Sequence, residues 1–66
     1  METTTIGKKL RELRGDRTTT EVAEHVGISD SALRMYELDE RVPRDGIKVR
    51  LAKFFGVSVG SLFFGE

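Results

Sequence analysis

The sequence predicts an all-α domain of five short helices. Three observations carry this expectation. Apolar residues recur at three- and four-residue spacings in five separate segments, the period of one helix face. Each segment opens at a Thr, Ser or Asp, the residues that cap helix starts, and three of them close on a glycine. No stretch shows the two-residue alternation of a strand, and the single proline lies between segments.

The first helix spans about 5–14. Ile6, Leu10 and Leu13 form its apolar stripe, while Lys8, Lys9, Arg11 and Glu12 lie off it. The threonines at 3–5 can cap its start, and Gly15 stops it. The second helix spans 19–26. Thr18 followed by Glu21 matches a capping box, and Val22, Ala23 and Val26 form the buried face. Three consecutive threonines are otherwise poor helix material, because their branched side chains lose rotamer freedom; capping accounts for one of them. Gly27 ends this helix, and Ser29 caps a third, over 30–38. Here Ala32, Leu33 and Tyr36 share one face, with Glu37 at its edge. Asp30, Ser31, Arg34, Met35 and Leu38 share the other, which mixes charges, a hydroxyl and a thioether and does not read as a core face. Pro43 disfavours helix at Val42. Asp45 is expected to cap a fourth helix over 46–55, built on Ile47, Leu51, Phe54 and Phe55. After Gly56, Ser58 caps a last helix over 59–63 carrying Val59, Leu62 and Phe63.

Composition narrows function by exclusion. A chain of 66 residues is a single domain over 1–66. Without cysteine there is no disulfide, thiolate zinc site or cysteine nucleophile. No apolar run is long enough for a membrane span or a signal-peptide core. One histidine and one tyrosine leave little for acid–base chemistry. His25 has no second His or Cys near it and reads as a solvated helix residue. Glu37 has no acid partner at useful spacing, so no enzymatic activity and no cofactor are expected. Eleven Lys and Arg balance eleven Asp and Glu, so overall charge does not point to nucleic acid by itself. The distribution is uneven, however. Residues 1–17 and 41–53 are net basic, and the acids gather between Glu21 and Glu40. A basic patch can exist only if folding assembles it.

The stretch from Thr18 to Leu38 is the informative one. A short helix with an alanine at 23, a glycine turn at 27, an apolar plug at Ile28 and a second helix anchored by Leu33 and Tyr36 form a helix-turn-helix of the DNA-binding type. Around it stand Ile6-Gly7-Lys8-Lys9-Leu10-Arg11-Glu12-Leu13-Arg14, Glu21-Val22-Ala23-Glu24, Gly27-Ile28-Ser29, Tyr36-Glu37, Arg41-Val42-Pro43 and Leu51-Ala52-Lys53-Phe54-Phe55-Gly56-Val57-Ser58. In this order, across residues 6–63, the chain resembles the lambda-repressor-like, XRE/Cro family of transcription regulators.

The resemblance implies a compact five-helix lambda-repressor-like fold, operator DNA as partner, a homodimer and repressor function in the cytoplasm. It places Asp30, Ser31, Arg34 and Met35 in the major groove and Thr19 on a phosphate. Arg41, Arg44 and Lys48 flank the recognition helix as phosphate contacts. Arg14 resembles the family's first-helix arginine that pairs with a glutamate, here Glu37. The dimer surface falls on Val57, Val59, Leu62, Phe63 and Phe64, where the two phenylalanines either close the core or form the interface; a patch this small implies a weak dimer. Three departures stand out. Thr19 replaces the usual glutamine, and Leu38-Asp39 replaces a polar residue and glycine. Asp30 puts an acid on the reading face, where it either accepts from cytosine N4 or pairs with Arg34 at i,i+4. The competing reading keeps the fold but not the DNA site: an antitoxin-like or anti-repressor protein-interaction module.

Overall fold

A computed structural model describes residues 5–63. Its order is α1 (Ile6–Arg14), α2 (Thr19–Val26), α3 (Asp30–Glu37), α4 (Asp45–Phe55) and α5 (Val59–Phe63), with no strand among the described residues. Four hydroxyl caps start helices as expected. Thr5, Thr18, Ser29 and Ser58 each accept a backbone N–H from the residue three positions on, at 2.9–3.1 Å. A cap of this kind stabilises by about 1 kcal/mol.

The fourth helix departs from expectation. Asp45 does not cap it. The N-cap is Arg44, with no side-chain cap, and Asp45 is already the first helical residue. The Lys48 N–H bonds the Arg44 carbonyl at 2.9 Å, which draws the first turn one residue earlier. Asp45 then stabilises by charge, since an acid in the first turn faces the positive end of the helix. The third helix stops at Glu37 rather than Leu38. Asp39 turns left-handed (φ 60°), and the Glu40 N–H reaches back to the Met35 carbonyl at 2.9 Å. Aspartate tolerates this conformation better than most residues, so it serves where glycine is usual.

Leu10, Val22, Ala23, Val26, Leu33, Leu51, Ala52, Leu62 and Phe63 form one buried core drawn from all five helices. Against it, α1 and α3 meet along Gly7, Leu10 and Arg14, spaced as one helix stripe. At one end of this seam a Cβ on Gly7 would collide with the Glu37 carbonyl oxygen. At the other, Glu37 is 5% exposed and its carboxylate takes two bonds from Arg14, Nε to Oε2 at 2.7 Å and Nη2 to Oε1 at 3.1 Å. The expected pair is therefore present and bidentate. It also holds the Arg14 guanidinium above its ordinary pKa, chiefly through the hydrogen bond to Glu37 and against burial. Arg14 Nη1 donates to the Arg17 carbonyl at 2.8 Å, tying down the α1–α2 connection.

Asp39 adds a second tie. The Gly7 N–H donates to its Oδ1 at 2.9 Å. The Thr5 hydroxyl first, then this N–H, hold the carboxyl below its ordinary value of 3.8; burial opposes them, and the Arg11 charge adds the least. A depressed carboxyl stabilises the fold above its unfolded pKa, and that contribution is lost as pH falls through the folded value. Asp39→Asn should therefore lower the thermal midpoint at pH 7. The gap to the parent should close as pH drops below 3.8, because the parent then loses the same charge. A gap unchanged by acid would mean the charge at Asp39 is irrelevant.

Candidate nucleic-acid interface

The presentation of α3 begins at the turn before it. Gly27 is left-handed (φ 84°, ψ 35°), and the N–H groups of Gly27 and Ile28 both bond the Ala23 carbonyl, at 2.8 and 3.0 Å. A glycine accepts this geometry without the penalty a side chain would carry. Ala23 is buried at the elbow, Ile28 half-buried beside it, and Leu33 fully buried beneath α3. With that face consumed, the opposite face of α3 is turned to solvent. Ser31 and Arg34 are exposed, Met35 is half-buried, and Leu38 beyond the helix end is 62% exposed.

Polar groups tie the starts of α2 and α3 together. The Thr20 hydroxyl donates to Asp30 Oδ1 at 3.3 Å, and Arg34 Nε lies 2.9 Å from Asp30 Oδ2. The Thr19 hydroxyl is the main group holding the Asp30 carboxyl below its ordinary range. Burial opposes this, while the Arg34 charge and Thr20 add to it. The acid on the outer face of α3 is thus engaged inside its own domain, including the i,i+4 pair with Arg34. The loop from Leu38 to Arg44 is pinned by buried Pro43 and leaves Arg41 and Arg44 exposed, with no ion pair among the described residues. An exposed polar helix face beside unpaired cations is suited to a groove and its flanking phosphates.

A family model described as Helix-turn-helix matches residues 8–62. The chain belongs to this family, the XRE/lambda-repressor-like helix-turn-helix proteins. Its members are DNA-binding regulators rather than enzymes. No curated protein and no solved structure matches the chain.

In this helix-turn-helix protein the expected site residues do not all gather. Ser31, Arg34 and Met35 line the outer face of α3, with Asp30 and Thr19 at its start. Arg41 and Arg44 follow it in the loop. Lys48 stands apart: its side chain is 14% exposed, with Nζ 5.6 Å from the centre of the Phe63 ring and 3.9 Å from Asp45 Oδ1. Its ammonium is drawn back over the core, which argues against a phosphate role. The expected dimer surface is also reduced. Leu62 and Phe63 are 2% and 7% exposed, so they close the monomer's own core. The shortness of α5 explains this, since a five-residue helix has few positions with which to anchor itself. Val57 and Val59 are half-buried, and Phe64 lies outside the described residues.

Thr20 was not singled out from sequence. Its signal was the run of three threonines, more than a cap needs; two of the hydroxyls serve the Asp30 carboxylate. Arg17, which lies over the Phe54 ring at 5.2 Å, left no such signal. Among the described residues no group of His, Cys, Asp and Glu is placed to hold a metal, and no helix is long and apolar enough to cross a membrane.

Proposed function

We propose that the protein is a sequence-specific transcriptional repressor of the phage or mobile-element type, acting in the cytoplasm. It binds a two-fold related operator as a weak homodimer and excludes polymerase. The observation that supports this best is the outer face of α3, polar and solvent-facing because Gly27 and Leu33 hold the opposite face against the core. Ser31, Arg34, Met35 and Asp30 contact bases or position the groups that do; Thr19, Arg41 and Arg44 contact phosphates. One recognition helix reads too few base pairs for useful selectivity, so two copies bind half-sites one helical turn apart, about 34 Å.

Duplexes selected from a random library at 50 mM salt test this. Enriched sequences should carry a two-fold repeat. If Arg41 and Arg44 of each copy neutralise one phosphate apiece, log K should fall against log[salt] with a slope of about −3.6, at about −0.9 per phosphate. Absence of any enriched duplex at low salt would overturn the DNA-reading assignment. A protein-interaction module is the second reading. It is favoured by exposed Leu38 and Val42, at 62% and 68%, beside a face on which Asp30 offsets Arg34. That reading expects no selected duplex.

A further inference from the structure

Arg34 is the single cation of α3, and its side chain is two-thirds exposed yet tethered at one edge. Its Nε is held at 2.9 Å by Asp30 Oδ2, one turn earlier on the same helix. Asp30 is itself tied to α2, because Oδ1 accepts from the Thr20 hydroxyl at 3.3 Å, and the nearby Thr19 hydroxyl favours its charged form. This chain runs from α2 through Asp30 to Arg34, so the arginine is braced against a second helix. A lone surface i,i+4 pair contributes little to stability; a braced one fixes direction.

A guanidinium that gives its Nε hydrogen to a carboxylate keeps its end edge, with one N–H from each terminal nitrogen. No partner for that edge occurs among the described residues. Two parallel donors match guanine, which presents two acceptors, O6 and N7, in the major groove. Adenine offers one acceptor and one donor there, cytosine a donor, and thymine one acceptor beside a methyl group. We propose that Asp30 is a positioning residue that sets Arg34 to read one guanine in each half-site by a bidentate contact, rather than a residue that reads cytosine itself. This rests on α3 entering the major groove. Holding the arginine in place removes freedom that would otherwise be lost on binding. The carboxylate also weakens attraction to phosphates in general, so it favours the right sequence over bulk DNA.

The test uses the whole chain and a random duplex library at one stated salt, with parent, Arg34→Ala, Asp30→Ala and Asp30→Asn. Parent-selected duplexes should share a guanine at one position of each half-site, and changing it to adenine should weaken binding about five- to hundredfold. Arg34→Ala should abolish the preference at that position alone. Asp30→Ala should bind random duplex more tightly while its discrimination there drops to about threefold or less. Asp30→Asn, which keeps an acceptor for Nε, should recover most of it. Circular dichroism melts identify any variant that fails to fold, and Thr20→Ala, which loosens the brace without touching charge, then takes its place and should lower discrimination in the same direction. The proposal is overturned by a selected site with no guanine that depends on Arg34, by a cytosine preference that tracks Asp30, or by Asp30→Ala leaving discrimination intact. If the parent selects no duplex at all, the DNA-reading assignment itself falls.

Discussion

Arg14→Ala should remove about 3 kcal/mol of folding stability, the lower end of what breaking a buried ion pair from one side costs. Glu37, 5% exposed in the parent, would lose its cation, and both its oxygens would lose their donors. Some water can reach the site, because the Arg14 side chain is 23% exposed, and this holds the cost at the lower end. A domain of 66 residues has about 3–10 kcal/mol in all, so the variant should lose about a third or more of its stability and melt well below the parent. Replacing both partners with apolar residues of similar volume, Arg14→Met with Glu37→Leu, should recover most of the loss, since no charge is then stranded. Urea denaturation reads both. A single variant within 1 kcal/mol of the parent would show that water solvates Glu37 well enough without its partner.

Gly7→Ala should destabilise by about 2 kcal/mol, in the range for overpacking a tight contact. Helix propensity alone predicts the opposite sign, a gain of about 1 kcal/mol for removing glycine from a helix. The contact decides. The added methyl would strike the Glu37 carbonyl oxygen and lie 2.7 Å from its carbon and 2.9 Å from Asp39 Oδ2. Two of these three atoms are backbone at the end of α3, so relief requires the helices to part, and parting them stretches the Gly7–Asp39 bond and the Arg14–Glu37 pair. Gly46→Ala is the control. Nothing lies within 4 Å of its would-be Cβ and its backbone is unstrained, so it should stabilise by up to about 1 kcal/mol. Thermal melts that move both glycine variants in the same direction would mean propensity, not the α1–α3 contact, governs position 7. Because α3 carries the proposed reading face, Gly7→Ala should also loosen DNA selectivity at temperatures where the domain is still folded.

The helices and their order were legible in the sequence because they depend on neighbours. Periodic apolar residues at Leu10, Val22, Leu33 and Leu51 and hydroxyl caps at Thr18, Ser29 and Ser58 act over three or four residues, and each appears as expected. The Arg14–Glu37 pair was legible through the family resemblance. What the sequence could not settle involves groups far apart along the chain. The close approach at Gly7 depends on Glu37 and Asp39, more than thirty positions away for Asp39. Lys48 reads as a surface cation until Phe63 is placed beneath it. Leu62 reads as interface and Phe63 equally as interface or core, and packing assigns both to the core. Asp30 had two local options, and only the arrival of Thr20 from the neighbouring helix shows how it is held. Helix formation and capping are settled within a turn of chain, so pattern and composition determine them. The direction of a charged side chain, and which apolar residue is left over, are settled by what another helix brings within a few ångströms.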